Sequence, residues 1–301
     1  MNLGFNLPHY GPAAHSADGI VRFAREAEAL GAGSLWVGDR LLAPVDPSVG
    51  YLNYDYFPPE FRSMQDPFIA LALAASVTDR VRIGASCLDA LWYSPPLLAR
   101  ALTTIDLVSN GRLVAGLGAG WSPEEFQAAG VPFAKRGARM EELLDVLHAW
   151  WTTNPVEHHG DLYQLPASNI DIKPVQRPHP PVYLAAFGPQ AIRRIGARGD
   201  GWLMFLGLPE SFPLPPPMLN EAWEGIRQTA AASGRDPDAI RKILRINVDA
   251  GTSAEDIAGF VQKSHAELTP DEVFVDFAYV ASSADQTIDL AGRVWELVAK
   301  G

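Results

Sequence analysis

Short apolar runs alternate along this chain with longer stretches in which apolar residues return every third or fourth position. The first run, 3–7, reads as a strand. Residues 17–30 read as a helix with Ile20, Phe23, Ala24, Ala27 and Leu30 on one face and Asp18 and Gly31 marking its ends. The pair then repeats. Strands are predicted over 34–38, 81–87, 113–117, 181–185, 201–205, 244–249 and 273–277. The helices that follow are predicted over 66–77, 95–108, 136–151, 190–197, 218–233, 254–268 and 285–299, with a short extra helix over 123–128. Apolar strands that are each followed by an amphipathic helix need cover on both faces, which a closed parallel barrel supplies. The expectation is an α/β fold, a (β/α)8 TIM barrel forming a single domain over 1–301, with an open doubly wound sheet as the alternative.

Two stretches are too long for minimal barrel connections, one after strand two and one before strand five. Residues 40–65 leave the C-terminal end of a strand, where barrel active sites are built, and carry Tyr51, Tyr54, Tyr56 and Phe57. Those aromatics either cover a planar ligand or pack down as the loop's own small core. Residues 154–180 read as a hairpin around HHGDLYQL and an extended, proline-rich return.

Composition narrows the function. With 24 basic and 35 acidic residues the net charge is −11, which argues against nucleic acid and anionic lipid as partners. The single cysteine, Cys87, excludes an internal disulfide and fits a reducing compartment. The opening residues lack a signal peptide's pattern, and no window approaches a membrane span. A cytoplasmic protein acting on a small molecule is expected.

In a barrel the chemistry gathers where strands run out toward their helices. The candidates there are His9; Asp39 and Arg40; Ser86, Cys87 and Asp89; Gly118, Ala119 and Trp121; Gly188; Asn247 and Asp249; and Asp276. Only one imidazole stands among them, so no metal site is expected. Ser86, His9 and Asp39 can be drawn as a triad, but no G-x-S-x-G elbow supports it. Gly116, Gly118 and Gly120 let backbone approach a ligand, although their spacing is wrong for a dinucleotide fingerprint. The turn at Gly188, Gln190 and Ala191 opens a helix, and the N–H groups of such a terminus suit an anion; an ordinary turn is the other reading.

Residues 80–151 contain W-x-x-E-E-F from Trp121 and G-V-P-F-x-x-R from Gly130. Together with GSLWVGDRLL at strand two and KPVQRPHPPVYLAAFGPQAIRRIGARGDGWL over 173–203, they resemble the luciferase-like monooxygenase superfamily, specifically its actinobacterial F420-dependent branch. The resemblance implies a flavin or deazaflavin across the strand C-termini, coenzyme F420 with FMN as the alternative. It implies a non-prolyl cis peptide at Ser86 and Cys87 behind the ring, a cofactor phosphate at Gly188, Gln190 and Ala191, and Asp39 beside the ring. Gly118 and Ala119 would border the cofactor, and Arg40, Tyr54, Tyr56 and Trp121 the substrate. Many relatives carry a histidine where this chain has Arg40, and its sugar-phosphate dehydrogenases a glutamate where it has Ala119, which disfavours sugar oxidation. His9 is preferred as the acid–base group because imidazole titrates near neutrality, with Tyr10, Asp39 and Tyr93 open. Arg112 is expected to pair with Asp106 at the far end of the barrel.

The leading expectation is an F420-dependent oxidoreductase exchanging hydride between the deazaflavin C5 and a small apolar substrate. The alternatives are an FMN-dependent monooxygenase using O2, a flavin-binding barrel without turnover, and an unrelated hydrolase. The family's frequent dimers make a second copy of the chain the candidate partner.

Overall fold

A computed structural model describes residues 1–16, 18–52, 55–208 and 215–300. Eight parallel strands close into a barrel: β1 (Leu3–Asn6), β2 (Ser34–Val37), β3 (Arg82–Ala85), β5 (Leu113–Gly118), β8 (Val182–Ala185), β9 (Gly201–Leu208), β10 (Arg241–Val248) and β11 (Glu272–Asp276). Neighbours pair in that order. The ring shuts twice over, where β1 pairs with β11 through Phe5 and Val275 and where β3 pairs with β5 through Ile83 and Leu113. A two-residue strand, β4 (Leu88–Asp89), continues β3 along β5 after an interruption at Ser86–Cys87, whose peptide bond is cis.

The helices are α1 (Gly19–Leu30), α2 (Pro67–Ser76), α3 (Pro95–Val108), α4 (Pro123–Ala128), α5 (Arg136–Thr152), α6 (Pro189–Arg198), α7 (Pro216–Ala232), α8 (Ala254–Leu268) and α9 (Ala284–Lys300). Their ends follow local chemistry. Asp66 accepts the Ile69 N–H at 2.9 Å, capping α2 ahead of Pro67, and Gly31 closes α1 with a φ of 100°, where only glycine is comfortable. The segment before β8 contains the expected hairpin, β6 (Val156–His159) against β7 (Gln164–Ser168).

Strand alternation divides the core in two. Residues such as Phe5, Leu35, Ile83, Leu117, Leu244 and Val275 point outward and pack under the helices in one large layer. Trp36, Val114, Tyr183, Leu203, Ile243 and Phe274 point inward and fill the barrel, Trp36 stacked on Phe274 at 5.0 Å. Below them Glu272 is wholly buried and accepts from Arg82, Ser34, Asn2 and the Trp36 indole. A side chain at Gly116 would stand 1.7 Å from the Ala85 carbonyl, so β3 and β5 approach only because that position is glycine.

Arg112 corrects the sequence reading. Its guanidinium does not pair with Asp106; it holds the Ala75, Thr78 and Val81 carbonyls at 2.7–3.0 Å, clamping the end of α2. Asp106 instead accepts from the backbone and side chain of Gln176. The carbonyls at a helix end are acceptors without partners, and a forked donor satisfies several of them at once. Among the described residues no helix is long and apolar enough to cross a membrane, and no group of acidic, histidine and cysteine side chains is placed to hold a metal.

Candidate active site

A cavity of about 980 Å³ opens at the C-terminal ends of the strands. One wall begins where β2 ends. Asp39 is 6% exposed, and its Oδ2 accepts from the Tyr93 hydroxyl at 2.8 Å and the Asp89 N–H at 3.1 Å, while Oδ1 has no partner among the described residues. Burial, reinforced by the neighbouring Asp89 carboxylate, pushes the Asp39 carboxyl up to about 7.

Arg40 turns away from that carboxylate. It donates to Glu125 at 2.8 Å and to Asp89, and its guanidinium lies 5.0 Å from the Trp121 ring. Burial holds both Asp89 and Glu125 at about 6, with Arg40 working in the opposite sense. Asp89 and Glu125 thus share the Arg40 cation, beside Asp39, which burial pushes up to about 7. Glu125 also accepts the Leu41 N–H at 2.8 Å, and Glu124 the Ser48 N–H at 2.8 Å, pinning the start of the loop after β2 to α4. The loop's other end is laced to residues 9–11: Gly11 donates to Ser63, and Gln65 to His9, each at 2.8 Å.

Ser86 and Cys87 form a ledge over the barrel interior. A side chain at Gly118 would come within 2.5 Å of the Cys87 Sγ, and burial pushes the thiol up to about 12, which leaves it an unreactive packing group. Across the cavity, α6 begins without a side-chain cap. Its first internal bond runs from the Ile192 N–H to the Gly188 carbonyl, so the Gln190 and Ala191 N–H groups have no acceptor in the helix. Arg136, Arg193 and Arg194 line the cavity near this end. Arg194 is spent on Glu141 at 2.6 Å; Arg193 is exposed.

The structure therefore brings Asp39, Arg40, Ser86, Cys87, Gly118, Ala119, Trp121, Gly188, Gln190 and Ala191 to one cavity. His9 is not among its lining residues. It is fully buried below Gly38, with Nδ1 2.9 Å from the Leu7 carbonyl and Nε2 3.0 Å from both the N–H and the carbonyl of Gly38, so both ring nitrogens are taken up by backbone. Burial lowers the His9 pKa. Tyr56 is also absent from the lining and half exposed, and Tyr54 lies outside the described residues. The loop instead offers Tyr51, Leu52, Phe61 and Met64. Both readings of its aromatics hold in part, since Tyr10, Phe57 and Phe61 form a small core whose edge, with Tyr51 and Trp121, is the cavity wall.

Sequence reasoning passed over Arg245. Residues 241, 243, 245 and 247 share one face of β10, and Ile243 on that face fills the barrel, so the alternation itself aims Arg245 and Asn247 at the cavity.

Residues 1–259 match the model of the family described as luciferase-like monooxygenase. A phthiodiolone/phenolphthiodiolone dimycocerosates ketoreductase of Mycobacterium tuberculosis is 28% identical over 284 residues, covering 87% of this chain and 73% of that protein. The crystal structure of the monooxygenase RslO1 from Streptomyces bottropensis superposes with a TM-score of 0.80 at 19% identity, covering 100% of this chain and 99% of that one. An F420-dependent secondary alcohol dehydrogenase, in complex with an F420-acetone adduct, gives 0.67 at 18% identity, covering 100% and 84%. At such identities the structural matches establish the fold.

Proposed function

Because the chain belongs to the luciferase-like monooxygenase family, we propose that it is an oxidoreductase that binds coenzyme F420 in the cavity and exchanges hydride with the carbonyl or carbinol carbon of a small apolar substrate. The observation that carries this reading is the Asp39 carboxyl, which titrates at about 7 with an oxygen unpartnered at the cavity wall. The residues present fit the cofactor. The uncapped start of α6, with Arg193 beside it, suits a phosphate, and the ledge at Ser86 and Cys87, with the bare backbone of Gly118 next to it, leaves room for a flat ring.

When bound, a reduced deazaflavin supplies a hydride. The protein's share of carbonyl reduction is the proton. A carboxyl with a pKa near 7 is both protonated and able to give its proton up at neutral pH, which is the condition for a general acid; the reverse reaction uses the carboxylate as base. Asp39 holds that proton on Oδ1 while Oδ2 is fixed by Tyr93 and Asp89. Tyr51, Phe61 and Trp121 give the substrate an apolar wall, and the Arg40 cation beside it is already paired with Asp89 and Glu125. The ketoreductase named among the relatives and the acetone adduct of the F420-dependent dehydrogenase support carbonyl chemistry.

The test is a titration of the purified protein with F420 and, separately, FMN, followed by tryptophan quenching, then oxidation of reduced F420 with a panel of ketones. F420 binding and ketone-dependent turnover are expected. Tight FMN binding without F420 binding would replace the cofactor, and the reading would become an FMN-dependent monooxygenase, in keeping with the name of the Streptomyces protein.

A further inference from the structure

At the C-terminal end of β10, Asn247 lines the cavity and is 3% exposed. Its Oδ1 accepts the Arg245 Nε–H at 2.7 Å. A guanidinium can only donate, so this bond settles which way round the amide lies. The Nδ2 group is left with two N–H donors, and it makes no hydrogen bond to any described residue. Among the described residues the enclosed side-chain atoms without a partner are the Trp92 Nε1, the Arg139 Nε and the Tyr279 hydroxyl; Nδ2 is not one of them, so it opens to the cavity, where an acceptor on a bound molecule can reach it.

Arg245 is itself rigidly held. Its Nη1 donates to the Ser86 carbonyl at 2.8 Å, and its Nη2 to the Tyr10 hydroxyl at 3.0 Å and to Asp276. Asp276 is fully buried and receives the Tyr10 hydroxyl at 2.5 Å. One side chain therefore ties the ledge, the first and last strands and the Asn247 amide together. Charge attraction to an anion does not explain the arrangement, because Asp276 already neutralises the guanidinium.

We propose that Asn247 is a ligand-binding residue whose amide NH2 donates to a carbonyl oxygen of the molecule held in the cavity, with Arg245 as its positioning residue. The inference rests on the reading of the cavity as a cofactor and substrate site. Two carbonyls meet the requirement, one on the pyrimidine-type ring of the cofactor and one on a ketone substrate.

The experiment compares the wild-type protein with Asn247→Asp and Asn247→Ala for cofactor dissociation constant by fluorescence titration, for kcat and KM with a ketone, and for urea midpoint. Asn247→Asp keeps the volume and the acceptor for Arg245 but removes both donors and sets a carboxylate against the ligand's oxygen; Asn247→Ala removes the donors without adding charge. Cofactor dissociation weaker by about tenfold or more in both variants assigns the ring carbonyl. An unchanged dissociation constant with kcat/KM down by about tenfold assigns the substrate carbonyl. Both quantities within about threefold of wild type overturn the proposal, and an effect in Asn247→Asp alone overturns it too, because charge then explains the loss. Arg245→Lys, which keeps the charge facing Asp276 but loses the fork, must fall in the same arm as the Asn247 variants; a loss confined to the urea midpoint refutes its positioning role. Failure of wild type to bind either F420 or FMN refutes the parent reading, and this inference with it.

Discussion

Replacing Asp39 by asparagine tests the reasoning about the site without any ligand. The native carboxyl titrates at about 7 instead of 3.8, because burial and the Asp89 carboxylate both oppose its charge. A carboxyl with a raised native pKa holds a proton that the unfolded chain has lost. Between the two pKa values stability therefore falls as pH rises, by about 1.4 kcal/mol per pH unit, and levels off above the native value. From pH 5 to pH 8 the wild type crosses about two units of that window and loses about 3 kcal/mol on account of this group. Asp89 and Glu125 titrate close by at about 6, and removing the Asp39 charge eases their ionisation, which brings the expected difference between variant and wild type to about 1–3 kcal/mol. Asparagine keeps the geometry, since its oxygen can accept from Tyr93 and the Asp89 N–H as Oδ2 does. Urea unfolding of both proteins at pH 5 and pH 8, followed by tryptophan fluorescence, measures the double difference. The Asp39→Asn variant should gain on wild type as pH rises. A double difference below about 0.5 kcal/mol, or one of opposite sign, would mean that Asp39 is an ordinary ionised carboxylate, and the case for it as a proton donor at neutral pH would fall.

Arg40→Met leaves Asp89 and Glu125 buried without their cation and should cost about 3–5 kcal/mol at pH 8, and less at pH 5, where those carboxyls are protonated; urea unfolding at the two pH values reads this. His9 has a lowered native pKa, so the unfolded chain takes up the proton first and the ring's contribution to stability is lost as pH drops below about 6.5. His9→Gln should accordingly show a flatter loss of stability between pH 7 and pH 5 while any neutral transition in the rate profile persists; disappearance of that transition would return His9 to the chemistry. Gly118→Ala drives a methyl group against the half-buried Cys87 sulfur, at a cost of about 1–3 kcal/mol and of cofactor affinity, and Cys87→Ala in the same chain should restore both. Cofactor titration of the single and double variants checks this.

The barrel was legible because each strand obeys one rule and each helix another. The period-two run of β10 and the three-four spacing of α1 need no tertiary information, and Asp66-Pro67 states where α2 begins. The Ser86–Cys87 interruption was readable through family likeness. Directions of polar side chains were not. His9 and Tyr10 are adjacent, yet one is sealed under Gly38 and the other borders the cavity, a difference set by chain returning from residues 38 and 60–65. The pairing of Arg40 depends on Glu125, 85 positions away in the chain. Arg112 was assigned to Asp106 by proximity, but its acceptors are helix-end carbonyls, which no residue name reveals.

The loop after β2 is fastened at both ends by backbone hydrogen bonds, to the Glu124 and Glu125 carboxylates at its start and to residues 9–11 at its finish. Those bonds spare its middle from any duty in holding the barrel shut. Changes at Tyr51 and Leu52, which line the cavity from that loop, should alter which molecules fit while the strands and the ledge stay as they are. One ancestral scaffold could in this way diversify its tastes by rewriting a single stretch of chain, and a library confined to that stretch is the natural starting point for redirecting the enzyme.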